Sequence, residues 1–143
     1  MIYIITGPSG VGKNTIINEL ANKIDINFVV SHTTRKIREN EIDGVDYHFV
    51  SLEKFQNMIS NNEFIEFEEF NNNYYGTSIK KHKKTKDKIT ILDLEIKGAT
   101  NLLSNNEEYI GIFIDISNDL LIERLNSSGH TEDFINSRMK LAD

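Results

Sequence analysis

One segment near the N-terminus constrains the fold of this chain more than any other. It reads Gly7-Pro8-Ser9-Gly10-Val11-Gly12-Lys13 and matches the pattern G-x-x-x-x-G-K. An apolar, β-branched run at residues 2–6 precedes it, and apolar residues at helical spacing follow it up to Ile24. Because glycines let successive backbone N–H groups point at one anion, a loop between a strand and a helix can cradle phosphates. The sequence therefore predicts an α/β fold with a phosphate site at a helix N-terminus.

The same segment supplies the predicted phosphate-binding residues. They are Gly7, Pro8, Ser9, Gly10, Val11, Gly12, Lys13, Asn14 and Thr15. Lys13 adds a charge that reaches the β- and γ-phosphates, so it is also predicted to be catalytic. The motif usually continues with Ser or Thr, whose hydroxyl binds Mg²⁺, but here the next residue is Asn14, and Thr15 faces about 100° away on the helix. We expect Asn14 to hold Mg²⁺ less well, and Asn14→Ser to raise turnover or nucleotide affinity.

Apolar strands alternate with helices along the rest of the chain. This alternation predicts a three-layer α/β/α fold with a parallel central sheet. Residues 31–85 interrupt the alternation and are predicted to form a small inserted lobe. The 143 residues are predicted to form one domain, with a core of residues 1–30 and 86–125, a lid of residues 126–133 and a final helix of residues 132–141.

Composition excludes several classes of protein. The net charge of −6 argues against nucleic-acid binding, and no apolar run approaches the ~20 residues of a membrane helix. The lysine-rich run between Lys80 and Lys88 is interpreted as a solvated helix face. The absence of cysteine excludes disulfides. The apolar run at the N-terminus lacks the basic segment of a signal peptide, and both features fit the predicted cytoplasmic location.

The inserted lobe contains a second polar cluster. Two of the four arginines, Arg35 and Arg38, lie three residues apart, and the hydroxyls of Tyr47 and Tyr75 complete a possible phosphate clamp. Taken alone, each of these residues is more readily explained as part of a solvated surface loop than as part of a clamp.

Several separated motifs together resemble the guanylate kinase family of P-loop nucleoside monophosphate kinases. The resemblance covers Ile2 to Leu141. After the glycine-rich loop the motifs are Thr33-Thr34-Arg35-x-x-Arg38-x-x-Glu41-x-x-Gly44-x-Asp46-Tyr47, Asn62-Glu63-Phe64-Ile65-Glu66, Tyr75-Gly76-Thr77-Ser78 and Ile91-Leu92-Asp93-Leu94-Glu95-Ile96-Lys97-Gly98.

The resemblance implies an activity and its ligands. The chain would transfer the γ-phosphoryl group of ATP to GMP, giving GDP and ADP, with Mg²⁺ as cofactor and with neither nucleic acid nor membrane as a partner. Arg35, Arg38, Tyr47 and Tyr75 would hold the GMP phosphate, and Glu41 would orient the arginines. Glu66 would accept hydrogen bonds from guanine, with Ser31, Thr77 and Glu95 beside the base. Asp93 would support the Mg²⁺ shell together with Asn14.

Two departures from the family pattern concern the C-terminal part. Ser128 stands where the family has a lid arginine, so Arg124 and Arg138 are the remaining catalytic candidates. The chain stops at Asp143, before a further strand and a closing helix of the family. We expect an uncovered sheet edge there, bound by a protein partner or by a second copy of the chain.

These observations leave two functions open. One is a guanylate kinase, with activity reduced by Asn14, Ser128 and the early C-terminus. The other is a catalytically inactive homologue that binds GMP or a phosphopeptide through its arginine clamp.

Overall fold

Two four-stranded sheets organise the chain. The structure is a computed structural model that describes residues 1–8, 10–78, 88–105 and 107–142, without the side chains of residues 138, 141 and 142. In chain order the strands are β1 (Ile2–Thr6), β2 (Ile26–Phe28), β3 (His32–Thr33), β4 (His48–Phe49), β5 (Phe64–Phe70), β6 (Asn73–Ser78), β7 (Ile89–Asp93) and β8 (Tyr109–Phe113). The helices are α1 (Lys13–Lys23), α2 (Leu52–Ser60), α3 (Ile96–Asn105), α4 (Asn118–Ser127) and α5 (Glu132–Ala142).

The first sheet is parallel throughout, with strand order β2-β7-β1-β8. Neighbouring residues of β1 face opposite sides of it: Ile4 packs into a cluster with Leu102 of α3, and Ile5 packs into one with Ile17 of α1. A helix therefore covers each face, and the predicted three-layer α/β/α fold is confirmed. Because the strands run in parallel, β1 and β7 end at the same edge of the sheet, where Gly7 and Asp93 lie.

The second sheet has the order β4-β3-β6-β5 and lies within the predicted lobe. Its largest pair is the antiparallel hairpin of β5 and β6, with a register shift between Phe64 and Glu66. Helix α2 begins at the predicted cap Ser51 and buries Phe55, whose ring lies 4.6 Å from that of Phe64. This aromatic packing anchors α2 against the β5–β6 hairpin.

Helices α4 and α5 form a tight pair with its own apolar core of Leu121, Leu125 and Ile135. Only four residues separate the two helices. The hydroxyl of Ser128 donates to the Arg124 carbonyl, and the Thr131 hydroxyl accepts from the first turn of α5. Of the residues predicted as a lid, 126–133, half lie in the two helix ends and half in the connection between them. Motion of this segment stays a prediction.

Strand β8 is an edge of the first sheet and exposes Ile110, Ile112 and Phe113. Binding of a partner or of a second copy of the chain at this edge stays a prediction.

Two further sequence expectations concern other parts of the chain. Within the described residues, no helix combines the length and apolar character needed to cross a membrane. Of the lysine-rich run, all but Lys88 lies outside the described residues.

Candidate functional site

A cleft of about 390 Å³ opens between the carboxyl ends of β1 and β7 and the second sheet. It brings together fourteen of the predicted site residues. They are Pro8, Gly10, Gly12, Lys13, Asn14, Ser31, Arg35, Arg38, Glu41, Tyr47, Glu66, Tyr75, Asp93 and Glu95. Residues that are far apart in the sequence therefore share one concave surface, as ligand sites in open α/β folds do.

Backbone geometry shapes the phosphate loop. Gly12 is the N-cap of α1 with φ 101°, and no side chain caps this helix, so the N–H groups of its first turn are available to an anion. A Cβ at Gly7 would overlap the carbonyl oxygen of Ile114. The Lys13 ammonium donates to the Gly7 carbonyl at 2.9 Å, so its charge lies over the loop.

Asp93 lies beside this charge, with its Oδ1 4.0 Å from the Lys13 ammonium. Burial raises the pKa of Asp93 to about 6, Glu95 raises it further and Lys13 lowers it. Asp93 and Asn14 both line the cleft, and the described residues hold no cluster of three or more His, Asp or Glu suited to a metal. One or two protein oxygens completed by phosphates and water are what Mg²⁺ prefers, so this pair fits the predicted ion.

The arginine clamp is preorganised around Glu41. Its carboxylate accepts two hydrogen bonds from the Arg35 guanidinium, at 2.6 and 3.0 Å, and a third from the Arg38 backbone N–H at 2.8 Å. Hydrogen bonding to Arg35 lowers the pKa of Glu41, and the same contact raises that of Arg35. The pair is therefore charged at neutral pH, and Glu41 holds the Arg35 guanidinium in place. Its contact with Arg38 is through the backbone N–H, and the orienting of both arginines toward a phosphate stays a prediction.

Two tyrosines complete this end of the cleft. The Arg35 guanidinium lies 5.4 Å from the centre of the Tyr47 ring, and the Tyr47 and Tyr75 rings meet edge to face at 5.9 Å. Burial raises the pKa of Tyr47 well above its usual value, so its hydroxyl stays protonated. Two charged guanidinium groups and two neutral hydroxyl donors suit a dianionic phosphate.

Glu66, on β5, lies at the opposite end of the cleft from the arginine clamp. Its Oε1 accepts a hydrogen bond of 2.7 Å from the Thr77 hydroxyl, which lies 3.3 Å from the Ser31 hydroxyl. Burial raises the pKa of Glu66 to about 7; Thr77 lowers it and the charge of Glu68 raises it. The carboxylate is thus held in place but keeps free lone pairs for a ligand that donates hydrogen bonds.

Gly98 in the first turn of α3 makes room for this carboxylate. A Cβ at residue 98 would lie 2.6 Å from the Glu66 Oε2. Alanine stabilises a helix more than glycine does, so helix stability does not explain Gly98, whereas the space that it leaves for Glu66 does.

Replacing Gly98 with Ala should therefore displace Glu66 without unfolding the chain. We expect the affinity for GMP, the ligand that the sequence resemblance implies, to fall at least about tenfold, the cost of one charge-assisted hydrogen bond. Titration calorimetry measures this, with Asn101→Ala, an exposed position of α3, as the control. Unchanged GMP affinity in Gly98→Ala would show that Glu66 does not need this space.

The remaining predicted residues lie around the cleft. Gly7 and Val11 belong to the loop backbone, Thr77 is buried behind Glu66, and Thr15 is exposed on α1. The Arg124 guanidinium donates to the Val11 carbonyl at 2.7 Å, so in this structure it supports the phosphate loop. Ser9 and the side chain of Arg138 lie outside the described residues.

Glu68, Gly98 and Phe134 are among the residues at the site to which sequence reasoning assigned no role. Glu68 follows Glu66 at the two-residue period of a strand, which is a usable signal. Gly98 is a glycine inside a predicted helix, which is another. His130 and Phe134 stack with ring centres 4.2 Å apart, a contact that only the α4–α5 pair creates.

The fold and the loop define a class before any comparison. A parallel sheet with helices on both faces, and a G-x-x-x-x-G-K loop between its first strand and first helix, is the architecture of P-loop nucleotide-binding proteins. The sequence model of the guanylate kinase family matches residues 1–143. The chain belongs to the guanylate kinase family.

Individual relatives agree with this assignment. The guanylate kinase of Malacoplasma penetrans is 49% identical over 119 residues, which cover 79% of this chain and 61% of that protein. The guanylate kinase of Bacillus anthracis is 40% identical over 150 residues, which cover 99% of this chain and 72% of that protein. The crystal structure of guanylate kinase from Anaplasma phagocytophilum superposes with a TM-score of 0.72 at 32% identity, covering 90% of this chain and 65% of that one. The chain thus spans less than two thirds of the first and third of these relatives.

Proposed function

We propose that this chain transfers the γ-phosphoryl group of ATP to GMP. The observation that carries the proposal is the single cleft, in which a phosphate loop with Lys13 faces a preorganised arginine clamp and a buried carboxylate acceptor. This arrangement suits two phosphorylated ligands better than one.

GMP fits the end of the cleft formed by the second sheet. Arg35, Arg38, Tyr47 and Tyr75 bind its phosphate, and Glu66 accepts hydrogen bonds from N1–H and the amino group of guanine. Adenine has no N–H at that ring position, so AMP leaves the remaining lone pairs of the Glu66 carboxylate without a donor. Ser31, Thr77 and Glu95 complete the base pocket.

ATP fits the other end. Its phosphates contact the loop N–H groups and Lys13, and Arg124 keeps the loop in shape through the Val11 carbonyl. Asn14 and Asp93 are the residues that would hold Mg²⁺, which neutralises phosphate charge when bound.

The transfer itself needs little chemistry from the protein. The GMP phosphate is already an ionised nucleophile, so no general base is required. Lys13, with Arg124 and Arg138 from α4 and α5, stabilises the charge on the transferring group, and the two ends of the cleft hold donor and acceptor in line.

The pKa of Glu66 predicts a pH dependence of GMP binding. Only the ionised carboxylate accepts both guanine N–H groups, and its pKa of about 7 means that binding below pH 7 releases a proton. We expect GMP affinity at pH 6 to be about tenfold weaker than at pH 8. Calorimetric titration across this range measures it.

The matched control is Glu66→Gln, which keeps the titration of the GMP phosphate itself. In this variant, the change in GMP affinity between pH 7 and pH 8 should be much smaller than in the wild-type chain. An equal pH profile in both proteins would assign the dependence to the nucleotide.

The decisive test of the proposed function is GMP-dependent ADP formation from ATP and Mg²⁺ by folded protein, with AMP as the control acceptor. Turnover with GMP and not with AMP supports the phosphotransferase. Binding of GMP without turnover would contradict it and leave a GMP-binding homologue.

A further inference from the structure

A second carboxylate on β5, Glu68, faces the cleft and has no role in the proposed function. It lies two residues beyond Glu66, on the same side of the strand, and lines the same cleft. The residue is only 9% exposed, whereas the adjacent Glu69 is exposed. Strand geometry thus turns Glu68 inward and Glu69 outward.

The Glu68 carboxylate differs from the other acids of the site. Glu41 accepts three hydrogen bonds and Glu66 accepts one, but no residue that the structure describes donates to the Glu68 carboxylate. Burial and the charge of Glu95 raise the pKa of Glu68, and Lys97 lowers it. The Glu68 oxygens keep contact with the open cleft, so their lone pairs are available to a donor that arrives with a ligand.

The strand register shows which part of the ligand lies nearest. On the β5–β6 hairpin, Glu66 pairs with Thr77 and Glu68 pairs with Tyr75. In the proposed function the first pair contacts the base, and Tyr75 contacts the phosphate. Two residues along a strand span roughly 7 Å, so Glu68 lies between the base-binding and phosphate-binding ends. The part of a nucleotide between base and phosphate is the sugar.

We propose that Glu68 is a further specificity-determining residue, whose carboxylate accepts a hydrogen bond from the 2′-hydroxyl of the nucleoside monophosphate and so selects ribonucleotides over 2′-deoxyribonucleotides. The inference rests on the proposed function, since it requires GMP in this cleft. A carboxylate is an acceptor only and a sugar hydroxyl is a good donor. With dGMP the buried carboxylate stays unpaired, so the deoxynucleotide is penalised.

The test compares the affinities of GMP and dGMP by calorimetry, without ATP, for the wild-type chain, Glu68→Ala and the matched control Glu69→Ala. We expect the wild-type chain to bind GMP about ten- to a hundredfold more tightly than dGMP. Glu68→Ala should bind the two nucleotides equally, and Glu69→Ala should keep the wild-type ratio. Because the readout is a ratio, a general loss of affinity or of folded fraction does not imitate the result.

Several outcomes would overturn the proposal. One is a wild-type chain that binds GMP and dGMP equally, and another is a Glu68→Ala variant that keeps the wild-type ratio of the two affinities. A third is a Glu68→Ala variant that changes only the preference between GMP and IMP, which would assign Glu68 to the base. If Glu68→Ala does not fold, Glu68→Met, of similar length and without acceptors, takes its place with the same expected ratio. A wild-type chain that binds neither GMP nor dGMP would instead refute the proposed function.

Discussion

Replacing Lys13 with Met is expected to slow GMP-dependent ADP formation by about a hundred- to a thousandfold while leaving GMP affinity unchanged. The ammonium of Lys13 lies over the phosphate loop, 2.9 Å from the Gly7 carbonyl. In the proposed function it stabilises charge on the transferring phosphoryl group. Met keeps the length of the side chain and removes the charge. Steady-state kinetics with ATP and GMP, with GMP affinity from calorimetry, measure the two effects separately.

Lys23→Met provides the matched control, because Lys23 lies exposed in the last turn of the same helix. It carries the same change of charge and should leave turnover at the wild-type rate. Thermal melting of both variants checks that losing the contact with Gly7 does not unfold the loop. Near wild-type turnover in a folded Lys13→Met protein would show that the loop is not the ATP site.

The second large effect is expected at the base. Glu66→Gln should weaken GMP binding by about two orders of magnitude and reduce the preference for GMP over AMP by a similar factor. The amide has one oxygen acceptor where the carboxylate has two, and its NH₂ group opposes the N–H groups of guanine. The Thr77 hydroxyl can still donate to the remaining oxygen, so the side chain keeps its position.

Relative kcat/KM values for GMP and AMP measure this preference. Glu69→Gln, on the exposed side of β5, makes the same substitution outside the cleft and should change neither value. If Glu66→Gln retained the wild-type ratio, Glu66 would not read the base, and Glu95 or Ser31 would take that role.

Local patterns determined much of the fold. The β-branched run at residues 2–6 and the apolar spacing after Lys13 correspond to β1 and α1, and Ser51 and Ser117 cap helices as a hydroxyl before a helix should. Such features depend on residues within one or two turns of each other. Short strands depend on distant partners: β2 is Ile26–Phe28, and its pairing with β7 decides its register.

By itself the sequence determined the phosphate loop and the chemical type of the clamp. The loop is a contiguous motif from Gly7 to Lys13, and the arginines of the lobe lie close together in the sequence, so both can be recognised from local spacing. Only the tertiary structure decided how these groups combine. Gly98 matters through a contact with Glu66, 32 residues away in the sequence, Arg124 reaches the Val11 carbonyl across the fold, and Glu68 becomes an unpaired acceptor through its burial. Such properties belong to pairs of residues brought together by packing, and no local pattern encodes which distant surface a side chain will meet.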